Sequence, residues 1–93
     1  MTPEPHIKTV STPAGPAHGA TTLIIPTYNH GSRVLAVIED ARQLDLPIIV
    51  VDDGSTDGTW TKLQNCRGIR ALRHRRNRGK GAALMTGMRA AAE

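Results

Sequence analysis

Aromatic residues are nearly missing from this chain: it has one tyrosine, Tyr28, one tryptophan, Trp60, and no phenylalanine. Surfaces that stack the bases of single-stranded nucleic acid need several rings, so nucleic acid is an unlikely partner. Cysteine is limited to Cys66, which excludes an internal disulfide and fits a reducing compartment. No run approaches the ~20 apolar residues of a membrane span, and no apolar stretch like a secretion signal stands at the N-terminus. The expected location is the cytoplasm, with association at the inner face of a membrane left open. The chain also lacks any D-x-D, any serine in a nucleophile elbow, and any zinc-like spacing among His6, His18, His30, His74 and Cys66. No cofactor or metal site is therefore read within it.

What is present fits one domain. Four of the six prolines, Pro3, Pro5, Pro13 and Pro16, crowd the first sixteen residues, with Gly15 and Gly19 close by. Residues 1–20 read as a disordered tail, and residues 21–93 as the folded part. Charge is divided unevenly. Residues 1–60 carry three basic and seven acidic side chains, a net −4, whereas residues 61–93 carry nine basic and one acidic, a net +8. The excess lies in Arg67, Arg70, Arg73, Arg75, Arg76, Arg78 and Lys80, which suits an anionic partner such as a phosphate or an acidic lipid surface.

The apolar pattern gives alternating strands and helices. Thr22 to Ile25 is a short β-branched run ended by Pro26. Val34, Leu35, Ile38, Ala41 and Leu44 form a helical stripe, with Ser32 placed to cap it and Pro47 to stop it. Ile48 to Val51 is apolar without alternation, as in a parallel strand buried on both faces. Strand, helix and strand within about thirty residues make a right-handed βαβ unit. A short helix at about 59–64 follows, in which Trp60 is a core residue, then a weaker edge strand at 69–73. A last helix at 81–92 has Leu84, Met85, Met88, Ala91 and Ala92 on one apolar face.

The polar residues cluster where strands end. Pro26-Thr27-Tyr28-Asn29 follows the first strand and Asp52-Asp53-Gly54-Ser55 ends the second. In an open α/β sheet such loops lie side by side at the carboxyl edge, where small ligands bind. Tyr28 could stack on a base, and a carboxylate could accept from a base N–H or a ribose hydroxyl. Asn77-Arg78-Gly79-Lys80-Gly81 then opens the last helix. Its glycines allow close approach, and the helix start supplies free N–H groups and partial positive charge. It is not a Walker loop, because Gly81 stands where Ser or Thr should follow the lysine. His30 reads as loop filler.

Leu23-Ile24-Ile25-Pro26-Thr27-Tyr28-Asn29, Ile49 to Thr59, and Asn77 to Leu84, taken in that order, resemble the N-terminal half of a family 2 glycosyltransferase, over residues 22 to about 92. The wording is closest to the dolichol-phosphate mannose synthase-like branch. The resemblance implies an inverting enzyme of GT-A fold that takes a UDP- or GDP-sugar and transfers the sugar to a lipid or saccharide acceptor. It implies that Pro26, Thr27 and Tyr28 line the nucleobase pocket, that Asp53 contacts the base, and that Asp52 braces the loop or the ribose. Lys80 would face the base or the phosphates, with Gly79 and Gly81 shaping its turn. The family's D-x-D, which holds Mg or Mn on the diphosphate, and its general base have no counterpart in these residues, so the chain alone is expected to be inactive. The expected fold is a partial, Rossmann-like parallel sheet in the order 3-2-1 with flanking helices, truncated before the D-x-D strand. Its first strand, 22–25, would then be a bare apolar edge prone to pairing with another chain. The alternative is a small basic protein that binds nucleic acid or an anionic membrane through Arg67 to Lys80.

Overall fold

The computed structural model describes residues 8–12 and 20–93. The elements run β1 (Lys8–Thr12), β2 (Ala20–Thr27), α1 (Val34–Arg42), β3 (Ile48–Asp52), α2 (Thr59–Gln64), β4 (Arg70–Arg73) and α3 (Lys80–Ala91). Among the described residues the strands form one sheet in the order β1-β2-β3-β4. β2, β3 and β4 are parallel, with Ile25 opposite Val50 and Val50 opposite Ala71. This is the expected α/β arrangement, the 3-2-1 order of a partial Rossmann-like sheet.

One strand was not expected. β1 pairs antiparallel with β2, Lys8 opposite Ile24 through to Thr12 opposite Ala20. The edge read as bare is therefore covered, and the reading of residues 1–20 as a disordered tail fails at 8–12. The rest of that stretch, 1–7 and 13–19, lies outside the described residues. The physical reason is local: Lys8-Thr9-Val10-Ser11-Thr12 contains three β-branched residues and no proline, and pairing satisfies edge backbone groups of β2 that would otherwise stay open. β2 also runs through Pro26 to Thr27 instead of stopping at the proline. The Leu23 N–H bonds to the Pro47 carbonyl on the β3 side. By alternation the Pro26 nitrogen points away from β3, so the missing donor costs no bond to that strand.

Alternation along the strands splits the core into two layers. Leu23, Ile25, Ile48 and Val50 meet Val34, Ile38 and Ala41 of α1 and Leu63 of α2 on one face. Ile24, Ile49 and Val51 meet Ala83 and Ala90 of α3 on the other. Trp60 packs at the margin of the first layer, as its core reading required. Two helix readings need correction. Ser32 does not cap α1; the first turn is preceded by a turn in which the His30 carbonyl accepts from Arg33 and Val34 N–H. In α3 the face turned to the sheet carries Ala83, Gly87 and Ala90, while Met85 and Met88 are exposed. Small residues win that face because the helix lies so close that a Cβ on Gly87 would come 2.5 Å from Ile24 Cγ2. No described helix is long and apolar enough to cross a membrane.

Candidate functional site

The loops after β2, β3 and β4 meet at the carboxyl edge of the sheet. Two backbone bonds carry the pairing one residue past the strands: Asp53 N–H donates to the Thr27 carbonyl and His74 N–H to the Asp52 carbonyl, each at 2.8 Å. The first two loops are cross-linked further. Asn29 N–H donates to Ser55 Oγ and Thr56 N–H donates to Asn29 Oδ1, both at 2.8 Å. Asn29 sits at φ 54, a left-handed conformation that asparagine tolerates better than most residues. Gly31 N–H donates to Asp57 Oδ2 at 3.1 Å, and the Lys62 ammonium donates to the Gly31 carbonyl. Partial burial pushes the Asp57 carboxyl up, but donation from the Thr59 hydroxyl and from the Gly31 and Thr59 amides outweighs it and leaves the group below the usual carboxylate value.

The third loop is organised by one carboxylate. Asp53, 3% exposed, accepts on Oδ1 from His74 Nδ1 at 2.7 Å and from Arg78 N–H at 2.9 Å. Its Oδ2 accepts from Gly79 N–H at 2.8 Å and from Asn77 Nδ2 at 3.1 Å. His74 is buried as well, and its Nε2 lies 2.7 Å from Thr86 Oγ1 on α3. Glycine is required at two points of this contact. Gly54, at φ 80, passes so near the third loop that a Cβ would lie 2.3 Å from the Arg76 carbonyl carbon. Gly79, at φ 100, turns its N–H onto Asp53 immediately before α3 begins.

The edge thus gathers the residues of the three strand-end motifs. Pro26, Thr27 and Asp52 are buried at the strand ends, Tyr28 is 42% exposed beside them, and Gly79 and Lys80 stand at the start of α3. No side chain caps the α3 N-terminus, and open space surrounds the positions where Gly79 and Gly81 would carry a Cβ. Asp52 Oδ1 accepts from Ser55 N–H at 3.0 Å, which is the loop-bracing contact. Asp52 Oδ2 and Thr27 Oγ1, on residues paired across β2 and β3, are buried without a partner.

Asp53 takes a different part from the one the resemblance implied. Four donors from the chain fill a carboxylate with about four lone-pair sites, so its contact is with the third loop. His74, placed among scattered histidines by sequence reading, belongs to the site. Its position one residue beyond β4, matching Asp52 and Asp53 at β3, was the available signal. His30 is buried below the first loop.

The basic cluster divides. Arg70 donates to the Ala90 carbonyl at 3.0 Å and pairs with Glu93, and Arg73 lies over the Trp60 ring, 5.5 Å from its centroid. Arg75, Arg76, Arg78 and Lys80 are exposed, with no ion-pair partner among the described residues. Those residues contain no group of three His, Cys, Asp or Glu able to hold a metal ion. With Asp53 saturated and only one Asp52 oxygen unpaired, they do not fit the divalent ion that the resemblance implied.

The family model for glycosyl transferase family 2 matches residues 22–93. The chain is 31% identical to a dolichyl-phosphate β-glucosyltransferase of Dictyostelium discoideum, over 72% of this chain and 26% of that protein. It is 34% identical to a dolichol-phosphate mannosyltransferase of Pyrococcus furiosus, over 75% of this chain and 22% of the relative. It is 31% identical to a UDP-N-acetylglucosamine–dolichyl-phosphate N-acetylglucosaminyltransferase of Methanococcus voltae, over 76% and 35% respectively. The chain spans between about a fifth and about a third of the length of these relatives. No solved structure matches it significantly.

Proposed function

Because the chain belongs to glycosyl transferase family 2, we propose that it forms the half of the site that binds the nucleoside diphosphate of a UDP- or GDP-sugar in an inverting sugar transfer. The observation that carries this reading is the joining of three loops at one sheet edge, with an exposed aromatic ring at one end and exposed cations at the other. Thr27 and Tyr28 would meet the base, with Pro26 and Asp52 fixing the floor beneath it. The free N–H groups of the α3 start, the Lys80 ammonium and the Arg78 guanidinium would meet the diphosphate, which suits helix dipole and full charge alike. Several relatives are named for dolichyl-phosphate acceptors, so a polyprenyl phosphate at a membrane surface is the acceptor class for the whole protein. The present residues bind and orient; a general base for the acceptor and a metal donor set lie outside them, so these residues alone give no turnover.

Calorimetry with UDP, GDP and their nucleosides tests the reading. Weak binding of at least one diphosphate is expected, with about a three- to tenfold loss in Lys80→Ala, the scale of one hydrogen bond of about 1 kcal/mol made by an exposed, solvent-screened group. Equal affinity in wild type, Lys80→Ala and Tyr28→Ala would remove the site from this edge. The four exposed cations also favour a second reading, non-specific binding of polyanions. It requires salt-dependent binding of random duplex DNA and no preference for a nucleoside diphosphate over inorganic diphosphate.

A further inference from the structure

We propose that His74 and Thr86 are positioning residues that set the geometry of the diphosphate-facing loop through Asp53, without touching the ligand. This rests on the nucleotide reading for its consequence but not for its geometry. The bonds form a closed ring. The start of α3 is tied to Asp53 through Gly79 N–H on Oδ2, and Arg78 N–H is tied to Oδ1. The same Oδ1 receives His74 Nδ1 at 2.7 Å, and His74 Nε2 meets Thr86 Oγ1 at 2.7 Å, back on α3 itself. An ionised carboxylate only accepts, so Nδ1 carries the proton. Nε2 shares the second bond with the Thr86 hydroxyl, which can donate or accept.

Each member of the ring has little freedom. The side chains of His74 and Asp53 are 5% and 4% exposed, so water does not readily replace a lost partner. The ring of His74 can turn about its last torsion only by giving up Thr86 or Asp53. The Asp53 carboxylate can turn only by releasing Arg78, Asn77 or Gly79. A sliding or rotation of α3 would strain bonds near its first residue and at Thr86 in its middle together. The remaining contact of α3 with the sheet is through Ala83, Gly87 and Ala90, with half-buried Leu84 and Ala91 beside them, and to this non-directional packing the polar ring adds a directional constraint on register. Arg78 and Lys80 project from the segment so fixed.

The decisive variant is Thr86→Val, which keeps shape and β-branching and deletes one hydroxyl. Amide exchange of Arg78 and Gly79 is expected to quicken about three- to tenfold, the loss of one buried hydrogen bond. The ratio of nucleoside to nucleoside-diphosphate dissociation constants should fall by a similar factor, with nucleoside affinity held. Thr86→Ser should restore both. A purely structural hydroxyl would lower the thermal midpoint and leave both readouts at wild-type values, and that result overturns the proposal. If Thr86→Val does not fold, His74→Gln is read in the same way. If the wild type binds no nucleoside diphosphate, the nucleotide reading fails, while the exchange of Arg78 and Gly79 still decides the ring.

Discussion

The two faces of the sheet are held by different forces. Under α1 and α2 the layer is made of large aliphatic side chains, with Ile38, Val34 and Leu63 over Leu23, Ile25 and Val50. Volume and apolar area hold that face, and it is tolerant of small shifts. Under α3 the helix contributes Ala83, Gly87 and Ala90, which bury little area but let the backbone come close. That face adds the ring of buried Asp53 and His74 with half-buried Thr86. Hydrogen bonds are directional where apolar contact is not, so the α3 face is the one able to fix a loop to fractions of an ångström. The candidate phosphate-facing residues are the ones attached to it.

Four perturbations separate the faces. The largest effect is expected from Asp53→Ala, which leaves His74 and the Arg78 and Gly79 amides without their acceptor, at a cost of about 3–5 kcal/mol. A domain with a total stability of ~5 kcal/mol would then keep ~0–2 kcal/mol, so a sharply lowered urea midpoint, with up to about half of the molecules unfolded at 25 °C, is expected by circular dichroism. Ile38→Ala on the other face should cost about 2–4 kcal/mol by cavity formation, measured by urea unfolding, while leaving the exchange of Arg78 and Gly79 amides in the remaining native state unaltered. Gly87→Ala forces a Cβ toward Ile24 and should cost about 1–2 kcal/mol despite the better helix propensity; an increase in the thermal midpoint would show that the close approach has slack. Acid is expected to act least, and through the first two loops. Asp57 has its folded pKa lowered, so its contribution is fully present above the unfolded value of about 3.9 and is lost as pH falls through the folded value. The urea midpoint of Asp57→Asn should therefore change less than that of wild type across that acid window.

Legibility differed between the faces for the same physical reason. The α1 face was readable because apolar periodicity reports side-chain area: Ile48 to Val51, α2, the order of the parallel strands and Val34, Ile38 and Ala41 of the α1 stripe emerged directly, whereas Leu35 and Leu44 of that stripe are exposed. The α3 face was read correctly at Leu84 and Ala91 and misread at Met85 and Met88, because these outrank alanine and glycine in hydrophobicity while close packing selects the smaller residues. The ring was invisible because Asp53, His74 and Thr86 are far apart in sequence and belong to no period. β1 was lost among flanking prolines. The convergence of Thr27, Tyr28, Asp52, Gly79 and Lys80 at one edge was readable because it follows from strand order alone.

The most direct test follows backbone amide shifts during titration with UDP and with GDP. A concave surface away from the strand-end loops provides the internal control: a groove of about 590 Å³ between α1 and α2, lined by residues that include Leu35, Glu39, Thr61 and Arg67. Shifts are expected at Thr27, Tyr28, Asn29, Ser55, Arg78, Gly79, Lys80 and Gly81, with the groove silent. Shifts confined to the groove, or none at the strand-end loops with either nucleotide, would contradict the assignment of the donor site to this edge.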